Sequence, residues 1–390
     1  MEETVPVQYG IDVLALRRYA LLRGKRVGLI TNHTGVDTQG KRTAEHLHHG
    51  TDFRLSLLFS PEHGLLGTAE DRVADGLDPQ TNVPVVSLYG GRLQPDPKHL
   101  QELDVLVFDI QDVGVRFYTY ISTLGLCLQA AAEARIPFVV LDRPNPLGGC
   151  IIEGPLADAH HFSFTAWHNI PIRHGMTVGE LARTYNAERQ LGAQLTVVPC
   201  RGWKRAQWFP QTGLTWIGPS PNLATFLQTV LYPGIALLET TNVSVGRGTH
   251  APFEQVGAPW LDGVRLVRYL ERKRIPGARF LPVRFVPKSP PYTGEVCSGV
   301  QVVLTRIPYD ARRQYPCLRI GMEIAAALRD LFPNQWDSRQ FLHLLANDAA
   351  YDAFLAGASY EELAAMWQSD GEGFRVRREP YLLYPRRRNN

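Results

Sequence analysis

The sequence predicts an α/β chain whose first part is a mostly parallel sheet covered by helices, followed by a smaller α+β domain. Three observations predict it. Short β-branched runs recur in the first 145 residues, their starts about 20 to 30 residues apart, the length of a βαβ step. Helical patterns fill several of the gaps, and alternation of this kind implies a sheet with helices on both faces. Past residue 245 the texture changes to proline-rich stretches and separate helices.

In order, strands are expected over residues 26–30, 55–59, 83–88, 105–110 and 138–141. Residues 120–135 read as a helix, with Leu124, Leu128 and Ala131 on one face. In the second part, Pro282 to Pro291, Pro308 and Pro316 surround a strand-like run at 298–304. Helical segments follow near 321–331, 338–345 and 360–367. The expected division is therefore 1–245 and 246–390, with the junction in the run from Glu239 to Gly248.

Composition bounds the function. The 390 residues are 44% apolar and 20% charged, ample for a packed core and too apolar for disorder. Forty-one basic residues against 38 acidic ones give +3, and only Pro385-Arg386-Arg387-Arg388 is locally basic, so no nucleic-acid partner is expected. Apolar runs are strand length, far short of the ~20 residues of a membrane helix. The start, Met1-Glu2-Glu3-Thr4-Val5-Pro6, carries acids where a secretory signal carries bases. As written, the chain is expected to be cytoplasmic, or extracytoplasmic if a leader has been removed. Cys127, Cys150, Cys200, Cys297 and Cys317 are far apart and read as reduced, mostly buried thiols. Nothing in the sequence fixes an oligomeric state.

Polar clusters follow four of the strands directly: Thr31-Asn32-His33-Thr34-Gly35, Ser60-Pro61-Glu62-His63-Gly64, Gln111-Asp112-Val113-Gly114 and Asp142-Arg143-Pro144-Asn145-Pro146. Ligands of open parallel sheets bind beyond the carboxyl ends of the strands, so the four should converge at one crevice. Each cluster also has a plain backbone reading, because turns after strands use Asn, Asp, Gly and Pro.

Elimination narrows the chemistry. No Gly-x-Gly-x-x-Gly follows the opening strand, no Walker A lysine loop is present, and Gly-x-Ser-x-Gly is absent. Asp109, Asp112, His33 and His63 are metal-type donors on neighbouring turns but share no ligand spacing, so no metal and no cofactor are expected. Acid/base work by carboxylates remains. Glu62, with Phe59 before it and Leu65 and Leu66 after, could sit in partly apolar surroundings that raise its pKa, as a general acid requires. Capping the next helix or pairing with an arginine are equally open to it.

These clusters, together with Tyr9-Gly10-Ile11-Asp12 and the run from Asp109 to Tyr120, resemble the exo-β-N-acetylmuramidases of the NamZ type, a bacterial family long classed only as a domain of unknown function. The resemblance continues through Glu153-Gly154-Pro155, Pro171 to Thr177, Glu239 to Ser244, Gly246-Arg247-Gly248-Thr249, Pro252-Phe253-Glu254 and Gly257-Ala258-Pro259. It implies a Rossmann-like N-terminal domain, a smaller C-terminal domain and an active-site cleft between them. It also implies removal of N-acetylmuramic acid from the non-reducing ends of peptidoglycan fragments, in cell-wall turnover or recycling, with Glu62 as the catalytic glutamate.

Glycoside hydrolysis needs an acid for the leaving oxygen and a second group at the anomeric carbon. With Glu62 as the acid, the second group is Asp112, Glu239, Glu254 or the sugar's own acetamido oxygen. The lactyl carboxylate of muramic acid calls for a guanidinium, for which Arg116, Arg143 and Arg247 are the candidates. Tyr118 and Tyr120 are candidate pocket walls, and Asn32, His33, His63, Asn145, His174 and Asn242 complete the polar set for the carbohydrate. Two other readings compete: a non-catalytic muropeptide or acidic-sugar binder, and a metal-dependent hydrolase. Release of free sugar, and its sensitivity to chelators, separates the three.

Overall fold

A computed structural model describes residues 6–68, 74–306 and 315–384. Met1 to Val5, Pro308 and the basic Pro385 to Arg388 lie outside these described residues. In chain order the strands are β1 (Arg26–Thr31), β2 (Arg54–Ser60), β3 (Gly76–Leu77), β4 (Pro84–Ser87), β5 (Val105–Asp109) and β6 (Phe138–Leu141). They continue with β7 (Glu153–Leu156), β8 (Pro171–Arg173), β9 (Leu195–Val198), β10 (Gln255–Ala258), β11 (Ala278–Phe285) and β12 (Cys297–Leu304). The five strands expected in the first part are all present, with no end shifted by more than one residue.

The main sheet has seven strands in the order β3-β4-β2-β1-β5-β6-β9, parallel except for the edge strand β3. From the central β1 the chain first builds outward through β2 and β4, then returns to β5 on the other side and continues to β9. The order thus reverses between β1 and β5, the place where a parallel sheet opens a crevice at its carboxyl ends. Alternate residues enter different layers, as the strand period requires. Ile30, Phe59, Phe108 and Val140 join the core under the helices Tyr120–Glu133 and Val178–Glu188. Val27, Leu29, Leu58, Val105 and Val107 pack on the opposite face with Ile11, Leu14, Ala44 and Leu47 of the helices Gly10–Leu16 and Thr43–His48. Leu124, Leu128 and Ala131 are fully buried on one face of their helix, as their spacing predicts.

The second sheet is antiparallel, β10-β12-β11. The strand expected at 298–304 is β12, at its centre. β11 runs through Pro282, which the sequence places in an irregular proline-rich stretch. An edge strand bonded on one side only can carry a proline, since the missing N–H faces away from the ladder. Helices Cys317–Leu331, Phe341–Leu345 and Tyr360–Met366 correspond to the three expected.

Packing groups the helix Phe226–Ile235 with the second half, ahead of the junction expected at 245. It crosses Cys317–Leu331 with Gly234 against Gly321, and a Cβ on Gly321 would lie 2.0 Å from the Gly234 carbonyl. Only two glycines allow the backbones to approach this closely. One continuous core then runs from Ile30 and Phe108 of the main sheet through Tyr232 and Val300 to Ile324 and Phe374. The five cysteines are free thiols, all but Cys150 buried.

Candidate active site

The loops after β1 and β5 are sewn together at the point where the strand order reverses. Thr31 Oγ1 donates to the Asp109 carbonyl at 2.9 Å, and the Gln111 N–H donates to Thr34 Oγ1 at 3.0 Å. Asn32 closes the first loop, its Oδ1 accepting from the Thr34 N–H (2.9 Å) and hydroxyl (2.6 Å). Its Nδ2 is buried near Tyr120 without making a full hydrogen bond, so neither of its two N–H donors is spent.

Glu62 follows β2 in a tight turn in which His63 takes a left-handed φ of +69°. The half-buried Glu62 accepts at Oε2 from Thr119 Oγ1 at 2.5 Å, just ahead of the helix Tyr120–Glu133. Tyr120 donates from its hydroxyl to the Pro219 carbonyl at 2.8 Å, with the Glu62 carbonyl 3.3 Å away. The Glu62 carboxylate therefore meets a hydroxyl, where the sequence suggests apolar surroundings. His33 lies 2.7 Å from the Gly218 carbonyl through Nε2, and burial holds its imidazole below the usual range, with His63 adding to the effect. A neutral His33 thus pins the 218–219 loop over the strand ends.

Glu239 enters from the segment after the helix Phe226–Ile235, and its Oε1 is 2.6 Å from Arg247 Nη1. Burial pushes the Glu239 carboxyl above the usual range; Arg247 pulls it back down and Glu62 pushes it up. Only about a quarter of its side chain reaches solvent, and the nearby aromatic rings explain the dominance of burial. The Tyr232 hydroxyl is pushed well up by burial and feels the charges of both acids, Glu239 and Glu62, and of Arg247 and Asp112. Tyr118 stacks edge-on against Tyr120 at 4.8 Å and against Tyr232 at 5.8 Å, and Phe253 closes the row 4.9 Å from Tyr232. This aromatic wall draws on both halves of the chain.

Asp112 and His174 form a buried pair whose carboxylate is felt by Tyr232. Asp112 Oδ2 accepts from the Gly114 N–H at 2.7 Å and is 3.5 Å from His174 Nε2. His174 Nδ1 accepts from the Met176 N–H, which places a neutral ring's proton on Nε2, toward the carboxylate. Asp112 Oδ1 is buried with no hydrogen-bond partner. Replacing Asp112 by asparagine is expected to raise KM more than it lowers kcat, because the amide keeps the shape of a group that positions rather than reacts; steady-state kinetics measure the split.

Five sequence-stated candidates have other duties. Arg143 is fully buried, its Nε and Nη2 on Asp109 at 2.6 and 3.0 Å, its Nη2 also on the Val36 carbonyl, and its guanidinium over the Tyr9 ring. Arg116 is equally buried and donates to the carbonyls of Pro155, Ile170, Leu344 and Leu345. Arg143 follows its strand as expected, but the charges of both arginines are spent inside the fold. Asn145 bonds the Met176 carbonyl and the Leu147 N–H. Asn242 ties the Gln335 carbonyl to the Asp337 N–H, and Glu254 accepts from Gln228. Of the three arginines, Arg247 is the one with substantial solvent exposure, about a third of its side chain.

Of Asn32, Glu62, Asp112 and Arg143, expected at one crevice, the first three face the tyrosine wall and Arg143 turns to Asp109. The sequence reading missed Thr119, Tyr232 and Phe253. Thr119 stands next to the recognised Tyr118 and Tyr120 and was within reach of notice; Tyr232, inside Val230-Leu231-Tyr232, reads as ordinary core.

Comparisons with known proteins match both halves of the chain. Residues 27–227 match the family described as exo-β-N-acetylmuramidase NamZ, N-terminal, and residues 230–384 match its C-terminal counterpart. The two matches meet at the helix that packs with the second half. The peptidoglycan β-N-acetylmuramidase NamZ of Bacillus subtilis (strain 168) is 41% identical over 383 residues, spanning 97% of this chain and 91% of that protein. Two crystal structures of DUF1343 family proteins from Bacteroides fragilis superpose with TM-scores of 0.88 and 0.79 at 35% and 31% identity. They cover 98% and 97% of this chain, and 100% and 99% of their own. With both halves matched in order over nearly the whole length, the chain belongs to the exo-β-N-acetylmuramidase NamZ family.

Proposed function

We propose that this protein is a glycoside hydrolase that releases N-acetylmuramic acid from the non-reducing ends of peptidoglycan fragments. The observation that carries the reading is that Glu62, held by Thr119 at the end of the Tyr120–Tyr118–Tyr232 row, and Glu239, paired with Arg247 and contributed by the other half of the chain, lie within electrostatic reach of each other and of Tyr232. Two carboxyl groups flanking a sugar are what glycosidic cleavage requires. Glu62 delivers the proton to the leaving oxygen, steered by the Thr119 hydroxyl on its other oxygen. Glu239, kept beside a cation by Arg247, balances the positive charge that grows at the anomeric carbon as water adds. Asn32 Nδ2 and Asp112 Oδ1 are the buried, unpartnered donor and acceptor that fit a sugar's hydroxyl and acetamido groups. Free N-acetylmuramic acid released from its chromogenic β-glycoside, with the N-acetylglucosamine glycoside cleaved poorly, is the expected result. Binding of both without cleavage of either would make the protein a receptor.

Arg247 carries the specificity in this reading. Its truncation to alanine is expected to lower the ratio of kcat/KM for muramic over glucosamine glycosides by roughly thirtyfold or more, since only the muramic sugar brings a carboxylate. The same change removes the cation that favours ionised Glu239, so the acid limb of the pH–rate profile should move to higher pH. An unchanged ratio and an unmoved limb would remove Arg247 from the site.

A further inference from the structure

Away from the active site, four metal-type donors meet at a seam between distant parts of the chain. Asp158, His160 and His161 lie on the short turn after β7, and Asp348 opens the helix Asp348–Leu355. Their ligand atoms all fall within 4.8 Å of one another. His160 Nε2 and His161 Nε2 each stand 2.7 Å from a different oxygen of the same Asp348 carboxylate, and the two rings pack 4.3 Å apart. We propose that Asp158, His160, His161 and Asp348 bind one divalent transition-metal ion of the zinc class, clamping the β7–β8 segment to the C-terminal helices.

The chemistry of the donor set selects the ion. Two imidazoles and two carboxylates suit zinc, cobalt or nickel, whereas magnesium and calcium demand oxygen ligands in larger number. Two neutral imidazoles and two carboxylates carry a charge of −2, which a divalent ion cancels. Zinc bonds of about 2.0–2.2 Å set tetrahedral ligand atoms roughly 3.3–3.6 Å apart, so the widest separations, up to 4.8 Å, need to close by about 1 Å while the two 2.7 Å His–Asp348 pairs open by less than that. His160 and Asp348 are substantially exposed and have room to do so.

The scaffold already orients the donors. Asp158 Oδ2 accepts from the Asp348 N–H at 2.9 Å, and its Oδ1 is 3.3 Å from Asn347 Nδ2. The Asp158 N–H donates to the Ala346 carbonyl at 2.8 Å, and Asn347 Nδ2 reaches the Leu156 carbonyl at 3.2 Å. These bonds fix the spacing between two segments about 190 residues apart in sequence, so the ligands need no new fold to assemble. None of the four residues belongs to the glycosidase site, and turnover is not the readout.

The test uses the whole protein without a polyhistidine tag, stripped with chelator and titrated calorimetrically with zinc chloride. One equivalent is expected to bind and to raise the melting temperature, and magnesium chloride is expected to do neither. His160→Gln/His161→Gln, and separately Asp348→Asn, should weaken zinc binding at least tenfold while melting like the wild type in chelator. Anomalous diffraction at the zinc edge from soaked crystals of the wild type should place the ion among these four side chains, a result independent of how the variants fold. Absence of saturable binding, undiminished affinity in both folded variants, or an anomalous peak at a cysteine or another histidine would overturn the site.

Discussion

Glu62→Gln should lower kcat on a β-N-acetylmuramic glycoside by about 10²- to 10⁴-fold, the usual contribution of a positioned proton donor, while KM and the melting temperature stay near wild type. Glutamine keeps the length and shape of the side chain, and its amide oxygen can still accept from Thr119 Oγ1, the bond that fixes the carboxyl now. What it cannot do is give a proton to the leaving oxygen. A glycoside whose leaving group needs no protonation, such as an activated nitrophenol, should therefore lose much less rate than a sugar-linked substrate. If both substrates kept wild-type rates, the acid would be Glu239, whose carboxyl burial already pushes up.

The largest loss of stability is expected from Asp109→Asn. Asp109 lies at the end of β5, fully buried, and its two oxygens receive Arg143 Nε and Nη2 together with Thr43 Oγ1 at 2.5 Å. Asparagine retains the volume but leaves the Arg143 charge buried without a counter-charge, which costs about 3–5 kcal/mol. Replacing Asp109 and Arg143 together by apolar residues should cost less than the single change, because no charge is then stranded. Denaturant midpoints of the single and double variants measure the difference. A single variant within about 1 kcal/mol of wild type would mean that the pair contributes little to the fold.

The same pair marks where the sequence could be read and where it could not. The strands at 26–31, 105–109 and 138–141 are legible because a strand buried on both faces must be a short continuous apolar run, and the polar clusters after them are legible because strand ends must turn. Arg143 looks like a ligand-binding group for the same reason. Its position after a strand says that it stands at the crevice rim; it does not say that Asp109, 34 residues earlier, will take the guanidinium inward. Arg116 misleads similarly, since two of its four carbonyl partners come from Leu344 and Leu345, more than 200 residues away. Tyr232 is hidden by its own neighbours, because an apolar helix in sequence does not distinguish a ring packed in the core from one packed behind a catalytic acid. Pro282 hides β11 until its edge position is known. The chemistry of the strand ends is thus readable, and pairings between segments distant in sequence are not.

The unbroken core between the two sheets has a consequence for how such a protein can change over generations. Family descriptions divide the chain near residue 228, yet the helix beginning at Phe226 is wedged glycine to glycine against Cys317–Leu331, and Arg116 is shared between both halves. Recombination that moved either half to another gene would sever the core, strand a buried cation and separate Glu62 from Glu239. The two halves are therefore expected to be exchangeable only together, since a bulky substitution at the seam in one strains the packing of the other.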